Sequence, residues 1–457
     1  MLEIIAYGAT SEVGRSCFLL SEGDRNIVLD AGVKIQPRRS GQRAEVPSGI
    51  NDHLPELDAV ILSHAHLDHS GYIPALFKSE NQPTLHLTKP TVDLVQILWK
   101  DHLKIEGSTH YSYAEIDKAN RNMIGHEYNR SFRVVDGVTA QFLDAGHVLG
   151  SASILIDWDG QKILYTGDIN NQKTTFHDAV SLSGLNGDEL NILIMETTNS
   201  QRTVPSRKQV YSDFTKSILK TFSHGGKVLT PSFALGRSQE LQAFFAMQFN
   251  GFLHKNPVYV DGMILGMNTI HEKFFSRNWV SPRILKWAQE FGYPSPFDHE
   301  GIHPVEPTKK GQRRGELRAK LAKTKRRRMI ILSTSGMMEG GPIHSYLRVA
   351  GSDQSNLLAV VGYQATETMG HEILNGKRQH VVTTPWNETY ELDLQLAVQR
   401  FDFSGHMSKS GLEEYALLAN PRRILAVHGQ NPSAFVERMQ RSGFYASTLT
   451  NGEPLPI

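Results

Sequence analysis

The 457-residue sequence contains a single cysteine, Cys17. An intramolecular disulfide and a Cys-rich zinc site are thereby excluded. No apolar run approaches the roughly 18 residues needed to span a bilayer. The opening Met-Leu-Glu-Ile-Ile-Ala-Tyr-Gly lacks the charged-then-apolar pattern of an export signal. An excess of one charge is missing too: 48 Lys and Arg face 47 Asp and Glu, a formal net charge of +1. That balance argues against a histone-like or tail-driven nucleic-acid binder and leaves room for a local basic patch. Internal repeats and long low-complexity linkers are absent. What is present, 39% hydrophobic and 21% charged residues, is the composition of an ordinary globular protein with ample core. The length suggests about two or three domains at roughly 150 residues each. A soluble, cytoplasmic protein with no membrane association is expected. The unusual abundance is histidine, with 20 residues, and many of them fall at strand ends.

The first 200 residues read as short strands separated by turns: Glu3–Tyr7, Ser16–Leu20, Asn26–Leu29 and Ala59–Leu62, then Phe132–Val135, Thr139–Asp144, Ser153–Trp158, Lys162–Thr166 and Ile192–Met195. Between them, Thr91–Lys104 has helical spacing, with Val95, Leu98, Trp99 and Leu103 on one face. Strand following strand directly points to a layered α/β sandwich rather than a doubly wound sheet. From about Ser200 helices alternate with strands (Gln209–Phe222, Lys227–Thr230, Ser238–Phe249, Val258–Val260, Ile330–Ser333, Asn356–Val361), which predicts a parallel sheet flanked by helices. Val398–His406, Arg423–His428 and Phe444–Leu449 read as a return to the first domain.

Ser63-His64-Ala65-His66-Leu67-Asp68-His69 follows the strand Ala59–Leu62 directly. Four possible ligands in six positions at a strand end can converge on one point. Imidazole with carboxylate suits zinc, and without cysteine it favours a hydrolytic centre over a structural one. His64 and His66 share one side of an extended segment, while Asp68 and His69 can face a second ion about 3.5–4 Å away. Gly146-His147, Thr166-Gly167-Asp168 and His428-Gly429 each place one ligand-capable residue beside glycine at the end of a strand-like run. Singly, each is more often a turn residue; together with the first cluster they complete two coordination shells.

The series His-x-His-x-Asp-His, Gly-His, Thr-Gly-Asp resembles the metallo-β-lactamase superfamily. The resemblance implies two Zn2+ ions per chain: His64, His66 and His147 on one, Asp68, His69 and His428 on the other, Asp168 bridging. Asp30, in Leu29-Asp30-Ala31-Gly32, matches the family's first motif, whose carboxylate supports the metal loop from behind the ligands. Thr230–Leu241, Val258–Met263, Thr334–Pro342 and Gly362–Ala365 are similar to motifs of the β-CASP nucleases, and Glu12–Cys17 to their archaeal and bacterial branch. The resemblance covers essentially the whole chain and is greatest to the cleavage and polyadenylation specificity factor type, in the archaeal form without KH domains.

The implied architecture is a metallo-β-lactamase αββα sandwich at residues 1–200 and 394–457 with a β-CASP domain inserted at 201–393. The implied activity is zinc-dependent hydrolysis of single-stranded RNA to 5′-phosphate and 3′-hydroxyl ends in a cleft between the domains. Endonucleolytic cutting is the first expectation; 5′-to-3′ exonuclease activity shares the same site. Asp68, His406 and Glu196 are the expected catalytic residues: His406, in Phe403-Ser404-Gly405-His406, would protonate the leaving 3′ oxygen, and Glu196 would hold its imidazole. The DNA-processing branch tends to lack a histidine at the position of His428, so RNA is favoured. Ser232 and Arg237 on a strand-to-helix turn, with Gly336, Gly340 and Gly341 on a glycine-rich turn, are expected to meet substrate phosphate. A homodimer and partners in an RNA-processing complex are compatible with the resemblance.

Departures from the pattern are Thr198-Asn199 for Tyr-Gly, Ser408 for an Asp, Gln430 for an acid, Thr366-Glu367 for Glu-Gly and His371 for Arg. They leave every expected ligand in place and bear on rate and substrate choice. A non-catalytic scaffold subunit is the alternative reading; a small-molecule hydrolase and a DNA nuclease are two others. The run Lys309–Arg328, dense in Lys and Arg with Glu316 as its one acid, reads either as a solvated helix face or as an extension of the RNA path through phosphate contacts.

Overall fold

The computed structural model describes residues 1–37, 42–182, 189–307, 312–324, 328–383 and 389–457. Among these, two seven-stranded sheets build one body. The first runs in the order Pro454–Pro456, Glu3–Ala6, Phe18–Glu22, Arg25–Leu29, Ala59–Ile61, Thr84–Thr88, Met123–His126. The second runs Tyr445–Thr448, Arg423–Val427, Ile192–Glu196, Gln161–Tyr165, Ala152–Trp158, Val138–Asp144, Ser131–Val135.

Alternation along these strands sends side chains into different cores. Phe18, Leu20, Ile27, Leu29 and Ile61 of the first sheet meet Phe142, Ile154, Ile156, Ile163, Ile194 and Val427 of the second in a shared core. Their chain neighbours Leu19, Val28 and Val60 point the other way, to Leu94, Val95, Leu98 and Trp99 of the helix Lys89–Glu106. On the outer face of the second sheet, Leu155, Leu164, Leu193 and Ile424 pack on Leu412 and Tyr415 of the helix Lys409–Ala419 and Phe435 of the helix Pro432–Arg441. Both faces of each sheet are therefore dry, and the four layers are helix, sheet, sheet, helix. Each fully buried Leu, Ile or Phe contributes roughly 1.5–3 kcal/mol to holding them together. The helix Lys89–Glu106 starts with Pro90 in its first turn and stops at Gly107, whose φ is +70°, the asymmetry expected of helix ends.

The third sheet is parallel, in the order Ile302–Pro304, Val258–Asp261, Ile330–Ser333, Val228–Pro231, Leu357–Val360, Ala397–Arg400. Here the structure departs from the sequence expectation at one point. Ala397–Arg400 does not return to the first domain; it pairs with Leu357–Val360 as the edge of the parallel sheet. The antiparallel hairpin of Gln379–Thr383 and Thr389–Asp393 interrupts the helix–strand alternation just before it, so the alternation signal stops one strand early. The carboxyl ends of these strands release the turns that begin at Ser232, Thr334, Gly362 and Phe401, the end at which parallel sheets place ligands.

Of the basic run, residues 312–324 and 328 are described and include the helix Arg314–Lys323, while 309–311 and 325–327 lie outside the described residues. Arg318 turns inward, donating from Nε and Nη2 to the two oxygens of buried Asp261 at 2.7 and 3.0 Å. No helix among the described residues is long and apolar enough to cross a membrane.

Candidate metal centre

Six strand ends meet at one place. Ala59–Ile61 delivers Ser63–His69, with the short helical turn Leu67–Ser70 folding Asp68 and His69 back. Gly32 permits that fold: a Cβ there would lie 1.7 Å from the Asp68 carbonyl oxygen. From the second sheet, Val138–Asp144 leads to His147, Gln161–Tyr165 to Asp168, Ile192–Glu196 ends on Glu196, and Arg423–Val427 leads to His428. Ala397–Arg400 of the parallel sheet leads to Phe403–His406.

The ligand-capable atoms form four overlapping groups, each within 4.8 Å: His64, His66, His147 and Asp168; His64, Asp68 and His69; His69, Asp168 and His428; Asp168, Glu196 and His406. Asp168 stands at the centre and divides them. Its Oδ2 lies 3.6 Å from His64 Nε2 and 3.7 Å from His147 Nε2. Its Oδ1 lies 3.3 Å from His69 Nε2 and 3.2 Å from His428 Nδ1. Asp68 Oδ2 is 3.6 Å from His428 Nε2. The seven residues read as ligands from the sequence are thus brought together.

The donor set fits divalent metal. His64 Nε2, His69 Nε2, His428 Nε2 and Asp168 Oδ1 are buried and make no hydrogen bond, a state that costs about 1–3 kcal/mol per group unless a cation satisfies it. Neighbouring hydrogen bonds fix which ring nitrogen faces the cluster. His147 Nδ1 donates to the Gly405 carbonyl at 2.8 Å, so Nε2 faces the cluster. His69 Nδ1 donates to Asp30 Oδ2 at 2.6 Å, so its Nε2 does the same.

Asp30 is fully buried, with φ +56°. It also accepts from the Ser63 N–H, the Ser63 hydroxyl and the Tyr165 hydroxyl, each at 2.7 Å. The sequence alone does not single out Ser63 or Tyr165. Ser63 stands beside the first histidine, and Tyr165 closes an apolar strand in which it reads as core.

Charge follows the geometry. Burial pushes His64 and His147 well below the usual imidazole range, where they are neutral and free to donate a lone pair. For His69 burial acts the same way, and Asp168 and Asp30 overcome it and raise the ring well above that range. Burial opposes ionisation of Asp168, yet His69, His428 and His406 hold its carboxyl well below the ordinary value. His406 sits at the edge of the cluster. Its Nδ1 is 3.1 and 3.2 Å from the two oxygens of Glu196, which is 1% exposed. Burial works to lower its pKa, and Glu196 and Asp168 turn the net shift upward.

The residues expected at substrate phosphate are placed differently from one another. Ser232 is fully buried and accepts from the Ser238 hydroxyl at 3.0 Å. Arg237, the first residue of the helix Arg237–Leu253, pairs with Glu240 and lies over the Phe403 ring at 5.7 Å. One of its Nη atoms comes within 3.4 Å of where a Cβ on Gly405 would be, which puts it near His147 and against the loop that carries His406. Gly336 packs against the Ser232–Phe233 backbone, and Gly340 and Gly341 follow on the same turn with positive φ.

Three family descriptions match the chain: a metallo-beta-lactamase superfamily domain over residues 19–198, a Beta-Casp domain over 238–373 and a Zn-dependent metallo-hydrolase RNA specificity domain over 391–449. The chain is 31% identical to an RNase J-like protein of Methanocaldococcus jannaschii, over 93% of this chain and 91% of that one. It is 33% identical to the transcription termination factor FttA of Methanosarcina mazei, over 94% of this chain and 67% of that one. It is 29% identical to Integrator complex subunit 11 of Danio rerio, over 94% and 69%. A crystal structure of a protein of unknown function from Enterococcus faecalis shares the fold, with a TM-score of 0.61 at 15% identity and full coverage of both chains. With the three domains in this order and a relative matched over nearly its full length, the chain belongs to the metallo-β-lactamase/β-CASP family of RNA nucleases.

Proposed function

We propose that the protein is a zinc-dependent ribonuclease that hydrolyses phosphodiester bonds of single-stranded RNA endonucleolytically, leaving 5′-phosphate and 3′-hydroxyl ends, in RNA 3′-end processing or decay. The observation that carries the reading is the division of Asp168 between two sets of histidines, with the His406–Glu196 pair alongside. His64, His66 and His147 would hold one zinc, Asp68, His69 and His428 a second, and Asp168 both. Zinc bound there would supply an activated water and Lewis-acid stabilisation of charge on the phosphate oxygens.

The chain's own groups do the rest. Glu196 accepts from Nδ1–H of His406, which leaves Nε2 to carry the proton for the departing 3′ oxygen. The upward shift of His406 keeps that proton in place until it is needed. Arg237 contributes positive charge beside the loop that carries His406. The cleft has one wall from the two-sheet body and one from the parallel sheet. In this reading the two-sheet body acts as one unit, and the insert that begins at 201 runs on past 393 to include the edge strand Ala397–Arg400. That arrangement admits a single strand and excludes a duplex.

The test is zinc-loaded protein with a labelled circular single-stranded RNA, a linear copy, and the Asp68→Ala/His406→Ala double variant as control. Cutting of the circle by the wild type alone is the expected result. A degraded linear copy beside an intact circle would reassign the protein as a 5′-end-dependent exonuclease. Survival of both would favour a scaffold role.

A further inference from the structure

Thr198 and Asn199, where this chain departs from the family pattern, follow closely on Glu196. Asn199 is 5% exposed and lies against the loop that carries His406. Its Nδ2 donates to Ser404 Oγ at 3.0 Å and to the His406 carbonyl at 3.4 Å. Ser404 Oγ in turn accepts the His406 backbone N–H at 3.2 Å. On its other side, Asn199 Oδ1 accepts from Nε and Nη2 of Arg202 at 3.2 and 3.0 Å. The same guanidinium pairs through Nη1 with Asp402, two residues before Ser404. The Arg202 carbonyl accepts from Lys409 N–H at 3.0 Å, beyond the loop.

An amide is the group this position requires. It donates two hydrogens to two acceptors and accepts a guanidinium, and no other uncharged side chain of that length does both. The backbone of the loop is pulled from other directions as well. Ser404 O accepts from Arg207 Nη2 at 2.7 Å and Gly405 O from His147 Nδ1 at 2.8 Å. Among the described residues, Asn199 is the one side chain from outside the loop that reaches the main chain of His406 itself. Glu196 fixes the ring, and Asn199 fixes the backbone from which the ring hangs.

We propose that Asn199, braced by Arg202 and Asp402, is a positioning residue that sets His406 for proton transfer to the leaving oxygen. The inference rests on the reading of His406 as proton donor. A displacement of about 1 Å at a reacting group lowers turnover on the order of a hundred-fold, so a neutral bridge behind the donor is enough to govern rate.

The experiment compares two RNAs that differ at the scissile bond: one with the natural 3′ oxygen, one with sulfur in its place. A thiolate departs without a proton, so only the oxygen linkage needs the donor. Zinc content and the thermal unfolding midpoint are measured for each variant. Asn199→Ala should lower kcat on the oxygen linkage by about ten- to a hundred-fold with KM unchanged, and most of that loss should vanish on sulfur. Arg202→Gln should give the same selectivity in weaker form. Its side chain is 41% exposed, so it decides the matter if Asn199→Ala fails to fold. Equal losses on both linkages, or no loss, would overturn the positioning role while a selective His406→Ala leaves the proton donor standing. If His406→Ala itself were equally impaired on both linkages, the donor reading would fail and the inference with it.

Discussion

Asp30 receives four hydrogen bonds, from His69, Tyr165 and both the amide and hydroxyl of Ser63, at 2.6–2.7 Å. One carboxylate thus fixes the orientation of the candidate ligand His69 and the start of the loop that carries three other candidates. Asp30→Asn replaces an acceptor with a donor amid groups that already donate. Zinc affinity should fall about ten- to a hundred-fold, as read by chelator competition. Tyr165→Phe, which removes one of the four bonds, should lower it by less, and the reverse order would remove Asp30 from this role. The candidate ligands are legible in the sequence because four crowd into six positions after a strand and the other three stand beside glycine at strand ends. Ser63 and Tyr165 are not, because a serine before a metal motif and a tyrosine ending an apolar strand have ordinary structural uses. Only the fold brings them to Asp30, Tyr165 from 135 positions away.

The turn from Pro231 to Arg237 makes a comparable demand of an element. Gly236 caps the helix Arg237–Leu253 with φ +88° and ψ −77°, and its N–H donates to Gln239 Oε1 at 2.8 Å. A Cβ there would stand 2.5 Å from Val148 Cγ1, next to the candidate ligand His147. Gly236→Ala therefore meets a forbidden backbone conformation and a clash with Val148. It should cost about 1–3 kcal/mol of stability and lower RNA cleavage. Gly251, inside the same helix, has open space around its missing Cβ, so Gly251→Ala should stabilise by about 0.5–1 kcal/mol. Denaturant unfolding of the two variants gives opposite signs if the turn, and not helix propensity, sets the cost. At this scale the sequence pattern locates most of the strands, and among the helices Lys89–Glu106, Arg207–Ser223 and Arg237–Leu253. It misplaces Ala397–Arg400 because sheet membership of an edge strand depends on pairing, and its sequence carries no mark of its neighbour.

At the scale of the whole molecule, a net charge of +1 leaves long-range attraction for RNA to local placement. The helix Arg314–Lys323 shows how that placement is made. Arg318 anchors it to Asp261, which pairs in register with Ser333, itself opposite Pro231. The helix is therefore fixed to the same sheet end from which the turn to Gly236 and Arg237 departs. Lys320 and Lys323 on it are exposed. On the phosphate-path reading of the run these two lysines meet RNA, and on the other they are a solvated face. Lys320→Gln/Lys323→Gln should weaken single-stranded RNA binding and reduce the slope of log K against log salt by about 0.7 for each phosphate no longer neutralised, about 1.4 for two. Zinc content should not change, since neither lysine is near the cluster. An unchanged slope would return the helix to the role of solvated surface, with Arg318 as its structural tie. Because the slope reports how many phosphates the protein neutralises and cleavage rate does not, the titration is read on the Asp68→Ala/His406→Ala protein, where RNA stays intact.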